Sequence, residues 1–151
     1  MNRMTNRTTM LALLLVAAAL LLASGAVLAK GIDCTGGPCV GTKRGDTIFG
    51  TAGIDQIAGR GGADAIFGDP RSGPAGDDTI HGGRGGDKIT DSGDGGTNKD
   101  IDHILAEKGD DVINVREGDA SIDVVDCGPG QDTIFADPSD QLTNCEIVNP
   151  N

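Results

Sequence analysis

An aspartate followed two residues later by an isoleucine recurs down this chain, and in its most regular stretches the step is nine residues. The isoleucines are Ile48, Ile57, Ile66, Ile80, Ile89, Ile104, Ile113, Ile122 and Ile134. Asp46, Asp55, Asp64, Asp78, Asp87, Asp102, Asp111 and Asp132 precede eight of them, and Ala120 precedes Ile122. Two residues earlier again stand Gly53, Gly62, Gly76, Gly85, Gly109, Gly118 and Gly130. One carboxylate at a fixed phase behind a glycine-rich loop is the chemistry of hard cations. Calcium takes about six to eight oxygen ligands in flexible geometry, and glycine lets the backbone bend so that carbonyls converge. The eight aspartates are therefore candidate metal ligands.

The elements that must hold them are repeats, because a fixed period with fixed chemistry at each phase marks a repeat architecture. The units read Gly41–Phe49, Gly50–Ala58, Gly59–Phe67, Gly73–His81, Gly82–Thr90, Thr97–Leu105, Ala106–Asn114, Val115–Asp123 and Cys127–Phe135. Insertions at Gly68–Ser72, Asp91–Gly96 and Val124–Asp126 fall between a strand-like step and the next loop, where changes of length are tolerated. The local alternation of two around each isoleucine predicts strands of about three residues with the isoleucine inward. Glycine or aspartate interrupts every longer stretch, so no amphipathic helix is expected. Phe49, Phe67 and Phe135 share the phase after the isoleucine and are expected to face outward.

Residues 1–29 are of another kind. Arg3 and Arg7 precede an uncharged run from Thr8 to Ala29, ending in small residues with Val27-Leu28-Ala29 as a cleavage site. This reads as a secretory signal peptide; an uncleaved anchor is the alternative, since about twenty apolar residues can span a bilayer. Two of the 12 basic residues and none of the 23 acidic ones lie in this segment, so the remaining 122 residues carry a charge of −13. That charge argues against nucleic acid, which needs basic patches. No second apolar stretch is present, so a soluble exported chain without membrane attachment is expected. Twenty of the acids are Asp and three are Glu, a bias toward the acid that suits turns. Cys34, Cys39, Cys127 and Cys145 all lie in the exported part; an even count there reads as two disulfides. A four-thiolate zinc site is the alternative, although no C-x-x-C spacing is present.

Gly82-Gly83-Arg84-Gly85-Gly86-Asp87-Lys88-Ile89-Thr90 and Gly73-Pro74-Ala75-Gly76-Asp77-Asp78-Thr79-Ile80-His81 carry a resemblance to a known family. They are similar to the nonapeptide G-G-x-G-x-D-x-U-x of RTX-type (haemolysin-type) calcium-binding proteins, and the likeness extends over 41–135. It implies an all-β fold, a right-handed parallel β-roll (β-solenoid) of nonapeptide repeats, with two repeats per turn. It also implies Ca2+ as the bound ion, between glycine-rich loops of successive turns, with Asp46, Asp55, Asp64, Asp78, Asp87, Asp102, Asp111 and Asp132 as its carboxylate ligands. Asp64 would then share a site with Asp87, and Asp55 with Asp78. Asp102 would matter less, because Ala120 is its counterpart one turn on. Arg44 and Asp100 depart from the pattern by replacing the mid-loop glycine. From Thr97 onward the opening glycine is also gone, being Thr97, Ala106, Val115 and Cys127. If two nonapeptides make a turn, Cys127 and Cys145 lie one above the other at about 4.8 Å, within disulfide reach, which leaves Cys34 to pair with Cys39.

Stacking also brings aspartates of neighbouring turns together at about 4.8 Å, where two unpaired carboxylates repel by roughly 1–3.5 kcal/mol at effective dielectrics of about 80 to 20. A thin core of single isoleucines and such repulsion predict folding coupled to calcium. His81 and His103 are outward, no G-x-S-x-G or H-E-x-x-H is present, and the chain is not expected to be an enzyme. The domain reading is a signal peptide at 1–29, a lead-in or cap at 30–40, the roll at 41–135 and a C-terminal cap at 136–151. The functional reading is a secreted, extracellular calcium-ion-binding protein. The alternative is an adhesion or matrix scaffold in which calcium is only structural. Calcium ions are the partner the residues imply, and any protein or glycan partner is left open.

Overall fold

The computed structural model describes residues 29–69, 75–91, 100–118 and 121–149. The expected signal peptide (but for Ala29) and Ala120 lie outside them. Thirteen short strands run Lys30–Asp33 (β1), Pro38–Val40 (β2), Asp46–Phe49 (β3), Gln56–Ala58 (β4), Ala65–Phe67 (β5), Thr79–Arg84 (β6), Lys88–Thr90 (β7), His103–Lys108 (β8), Val112–Asn114 (β9), Val124–Asp126 (β10), Thr133–Phe135 (β11), Gln141–Thr143 (β12) and Ile147–Asn149 (β13). Odd strands stack in order into a seven-stranded sheet and even strands into a six-stranded one. Every pairing is parallel. The chain therefore winds between two facing parallel sheets as a β-solenoid, the β-roll architecture. The lead-in and the C-terminal segment contribute strands to the same sheets.

One aliphatic per strand builds the core. In the odd sheet Ile32, Ile48, Ile66, Ile89, Ile113, Ile134 and Val148 fall in register. In the even sheet the column is Cys39, Ile57, Ile80, Ile104, Val125 and Leu142. Eight isoleucines of these columns, from Ile48 to Ile134, are almost wholly enclosed. In the C-terminal half the corner residues Ala106, Val115, Cys127 and Ala136 are enclosed too. Ala106, Val115 and Cys127 stand where the repeat otherwise opens with glycine, so these departures widen the apolar core.

One part of the sequence register is corrected. Ile122 is 42 % exposed, whereas Val125 is 1 % and Asp123 also 1 % exposed. Asp123-Val124-Val125 is thus the aspartate-to-aliphatic step of that coil, and Val124–Asp126 is a strand, not an insertion. The extra residues fall earlier, after Asn114. An isoleucine was the expected inward residue, but a β-branched valine fills the same pleat equally well. The consequence reaches the whole roll. Steps from even to odd strands are constant at nine residues from Cys39–Ile48 through Val125–Ile134. All added length lies on the opposite edge, between odd and even strands.

Cys34–Cys39 and Cys127–Cys145 are both bonded, with Cα separations of 5.5 and 5.2 Å, as the spacing leads one to expect. Both engage the ends of the roll, and closing the 18-residue loop contributes about 3 kcal/mol on the chain-entropy account. Phe49 and Phe67 stack on the outer face at a centroid distance of 5.1 Å. Arg116 covers Phe135 at 5.7 Å. His81 pairs with Glu107 at 3.1 Å and lies opposite Leu105, while His103 lies opposite Thr79. The two histidines therefore do not face each other.

Candidate metal centres along the two loop edges

All eight aspartates singled out in the sequence are buried, and they form two columns. On the plain edge, each backbone N–H donates to Oδ1 of the aspartate one coil on. Asp46 donates to Asp64 at 2.7 Å, Asp64 to Asp87 at 2.8 Å, Asp87 to Asp111 at 2.7 Å and Asp111 to Asp132 at 2.8 Å. On the insertion-bearing edge Asp55 donates to Asp78 at 2.8 Å, Asp78 to Asp102 at 2.8 Å and Asp102 to Asp123 at 3.0 Å. The expected pairs Asp64 with Asp87 and Asp55 with Asp78 are thus stacked. The expected weak partner of Asp102 is corrected: Asp123 stands there, not Ala120. Asp123 N–H continues to Asp140 Oδ1 at 3.2 Å, and Asp132 N–H to Glu146 Oε2 at 3.0 Å. Sequence reasoning missed Asp123, Asp140 and Glu146. The signal that finds them is an acid two residues before any aliphatic, because Val125, Leu142 and Val148 follow them at that distance.

These hydrogen bonds use one oxygen of each carboxylate. The second oxygen, Oδ2, of Asp64, Asp78, Asp87, Asp102, Asp111 and Asp132 is buried with no hydrogen-bond partner. A buried acceptor left so costs about 1–3 kcal/mol, more when charged. Desolvation accordingly dominates the titration of these groups. Burial pushes Asp111 up to about 6, Asp78 and Asp87 up to about 7 and Asp102 up to about 8, despite the lowering effect of each stacked N–H. Asp64 and Asp132 are raised from the same cause. Neighbouring acids push in the same direction: Asp64 and Asp111 on Asp87, Asp123 and Asp100 on Asp102.

The glycines explain what those free oxygens face. A Cβ built on Gly82 would stand 2.6 Å from the Ala106 carbonyl oxygen and 2.8 Å from Asp87 Oδ2; on Gly59 it would collide with the Gly82 carbonyl oxygen and stand 2.5 Å from Asp64 Oδ2. A backbone carbonyl from one coil and a carboxylate from the other therefore converge on the space a side chain would fill. Gly85 adds a conformational demand, with φ of +133°, a region that L side chains rarely adopt. The nearest atoms to these gaps are carbonyl and carboxylate oxygens, which suits a hard cation such as calcium and not a soft one. Replacing Gly82 by Ala is expected to displace that carbonyl and the Asp87 carboxylate together. The variant should lose about 1–3 kcal/mol of stability, the usual cost of overpacking. Its calcium affinity should also fall, measured by thermal melts and calorimetric titration side by side. An unchanged isotherm would show that the gap plays no part in ion binding.

The profile of the RTX calcium-binding nonapeptide repeat family, in four copies, matches residues 40–70, 72–89 and 96–134. No curated protein and no solved structure matches the chain. The matched span contains both aspartate columns from Asp46 to Asp132, the free carboxylate oxygens and the glycine gaps that face them. By that match, over more than half its length, the chain belongs to the RTX calcium-binding nonapeptide repeat family.

Proposed function

We propose that this protein is an exported, non-catalytic calcium binder whose roll folds around its ions, with Asp46, Asp55, Asp64, Asp78, Asp87, Asp102, Asp111 and Asp132 as carboxylate ligands. The observation that carries the reading is the row of buried Oδ2 atoms without partners. Each is an ionisable oxygen taken out of water and given nothing in exchange, which a bound cation would correct. Two disulfides in so small a chain support an oxidising, extracellular setting. The adhesion alternative draws less support. Phe49 and Phe67, the outward aromatics that could serve such a scaffold as a contact patch, instead stack on each other at 8°.

Calorimetric titration with calcium, and with magnesium as control, tests the reading. Uptake of several calcium ions with a gain of β-sheet ellipticity is expected. Magnesium should bind far more weakly, because it demands near-ideal octahedral geometry and dehydrates reluctantly. A flat calcium isotherm would overturn the proposal.

A further inference from the structure

The two edges of the roll differ in more than length. On the plain edge Lys43, Arg44, Arg60, Arg84 and Lys108 are interspersed with the acids. Among the described residues of the insertion-bearing edge the one cation is Arg116, and it is turned away: its guanidinium covers Phe135 and donates to the Asn149 carbonyl. That edge instead gathers acids outside the repeat's aspartate phase. Asp91 takes the corner position that Gly50 and Gly68 hold in the coils before it, as the ladder of Gly50 to Phe67, Gly68 to Thr90 and Asp91 to Asn114 shows. Asp100 takes the mid-loop position normally given to glycine.

Two clusters result. Asp69, Asp78 and Asp91 each present a carboxylate oxygen, all within 4.8 Å of one another, and so do Asp100, Asp102 and Glu117. Asp91 is 0 % exposed and Asp100 is 3 % exposed. Neither oxygen of Asp91 or of Asp100 has a hydrogen-bond partner, nor has Oδ2 of Asp78 or Asp102. The structure leaves room for this arrangement at Gly68, whose Cβ would collide with the Asp91 carboxylate. The charged neighbours acting on Asp91 are all acids: Asp102, Asp78, Asp69 and Glu117. Enclosed carboxylate oxygens such as those of Asp91 and Asp100 and Oδ2 of Asp78 and Asp102 carry their charge at neutral pH only beside a cation.

We infer that the insertion-bearing edge holds two three-carboxylate calcium sites, Asp69–Asp78–Asp91 and Asp100–Asp102–Glu117, which fill before the glycine-loop sites of the plain edge. This rests on the calcium-binding reading above and adds an order of loading to it. Affinity for calcium rises with the number of charged ligands. A site with three carboxylates therefore outranks one built of carbonyls and stacked aspartates. Asp69 and Asp100 both lie on the edge where the added length falls.

The test counts ions in the full protein and in its Asp91→Asn, Asp69→Asn, Asp100→Asn and Asp64→Asn variants, by calorimetry with calcium alone and circular dichroism in parallel. The wild type should show two ions bound about tenfold or more tighter than the rest. Asp91→Asn and Asp100→Asn should each remove one ion from the tight class. Both should show more β signal than wild type in chelator at pH 7.5, because a buried charge is gone. Asp69→Asn reaches the first site from a neighbouring coil, so the count can be read even if one variant misfolds. Asp64→Asn, on the plain edge, should leave the tight class at two. Retention of two tight ions in Asp91→Asn, Asp69→Asn and Asp100→Asn would overturn the inference while leaving calcium binding intact. A wild type that takes up no calcium would overturn both.

Discussion

Stripped of calcium, the roll is expected to be β-structured at pH 5 and to lose most of that structure as the pH rises to 8, with millimolar calcium restoring it. The expectation follows from the direction in which the buried aspartates are shifted. In the folded chain Asp69 and Asp111 titrate at about 6, Asp78 and Asp87 at about 7 and Asp102 at about 8, all raised chiefly by burial from an ordinary 3.8. A raised carboxyl pKa means the folded chain holds more protons than the unfolded one between those values. Its contribution to stability is complete below about 4 and is lost as pH climbs through 6 to 8. Calcium reverses the sense, because ligands must be deprotonated to bind it, so uptake at pH 7 should release protons and tighten with pH. Circular dichroism in chelator at pH 5 and pH 8, repeated with calcium, checks both halves. An ion-free β signal that stays flat or grows between those pH values would contradict the account.

Asp102→Asn should weaken calcium binding by about tenfold or more, no less than Asp87→Asn does. Even outer-shell losses at metal sites cost about 10- to 100-fold, and Asp102 and Asp87 each stand, as proposed ligands, between stacked acids. The two possible registers of the seventh and eighth coil steps make opposite forecasts here. Were Asp102 stacked under Ala120, its loss would be mild. Stacked on Asp123 at 3.0 Å, it belongs to an unbroken column. A companion pair of core variants reads the same register through stability. Val125→Ala removes two enclosed methyl groups, about 0.8 kcal/mol each before any cavity cost, so about 2 kcal/mol in all. Ile122→Ala, on a 42 % exposed side chain, should change the melting point little. A severe Ile122→Ala alongside a mild Val125→Ala and a mild Asp102→Asn would restore the other register.

Local pattern made most of the roll legible before any coordinates. One inward aliphatic, one acid two residues before it and glycine before that repeat from Gly41 to Phe135, and strand, loop and aspartate column all follow from that phase. Ile122 misled because identity was tracked where shape was what mattered: Val125 carries the same branched Cβ and lies behind an aspartate, whereas Ile122 lies behind Ala120. Asp69, Asp91 and Asp100 were illegible for a different reason. Each is out of phase with the repeat's aspartates along the chain. They meet only because coils of 23 and 24 residues stack on one another, a relation no nine-residue window contains. The disulfides fall between these cases, since the 18-residue separation of Cys127 and Cys145 is readable only once the coil length is known.

Within its sheet each strand is hydrogen-bonded only to strands one coil above or below it, so the molecule behaves as a one-dimensional stack whose stability is a sum of neighbouring interfaces. Such a stack unzips from its ends, where a coil has one neighbour instead of two. The covalent bridges stand at those two places, Cys34–Cys39 on the first coil and Cys127–Cys145 lacing the final coil to the one before. Fraying is thereby discouraged by bonds that do not depend on calcium, while the interior is left to the ion supply. A fall in free calcium would then loosen the roll from its middle outward, and each released segment would stay tethered between two closed ends, positioned to rewind when the ion returns.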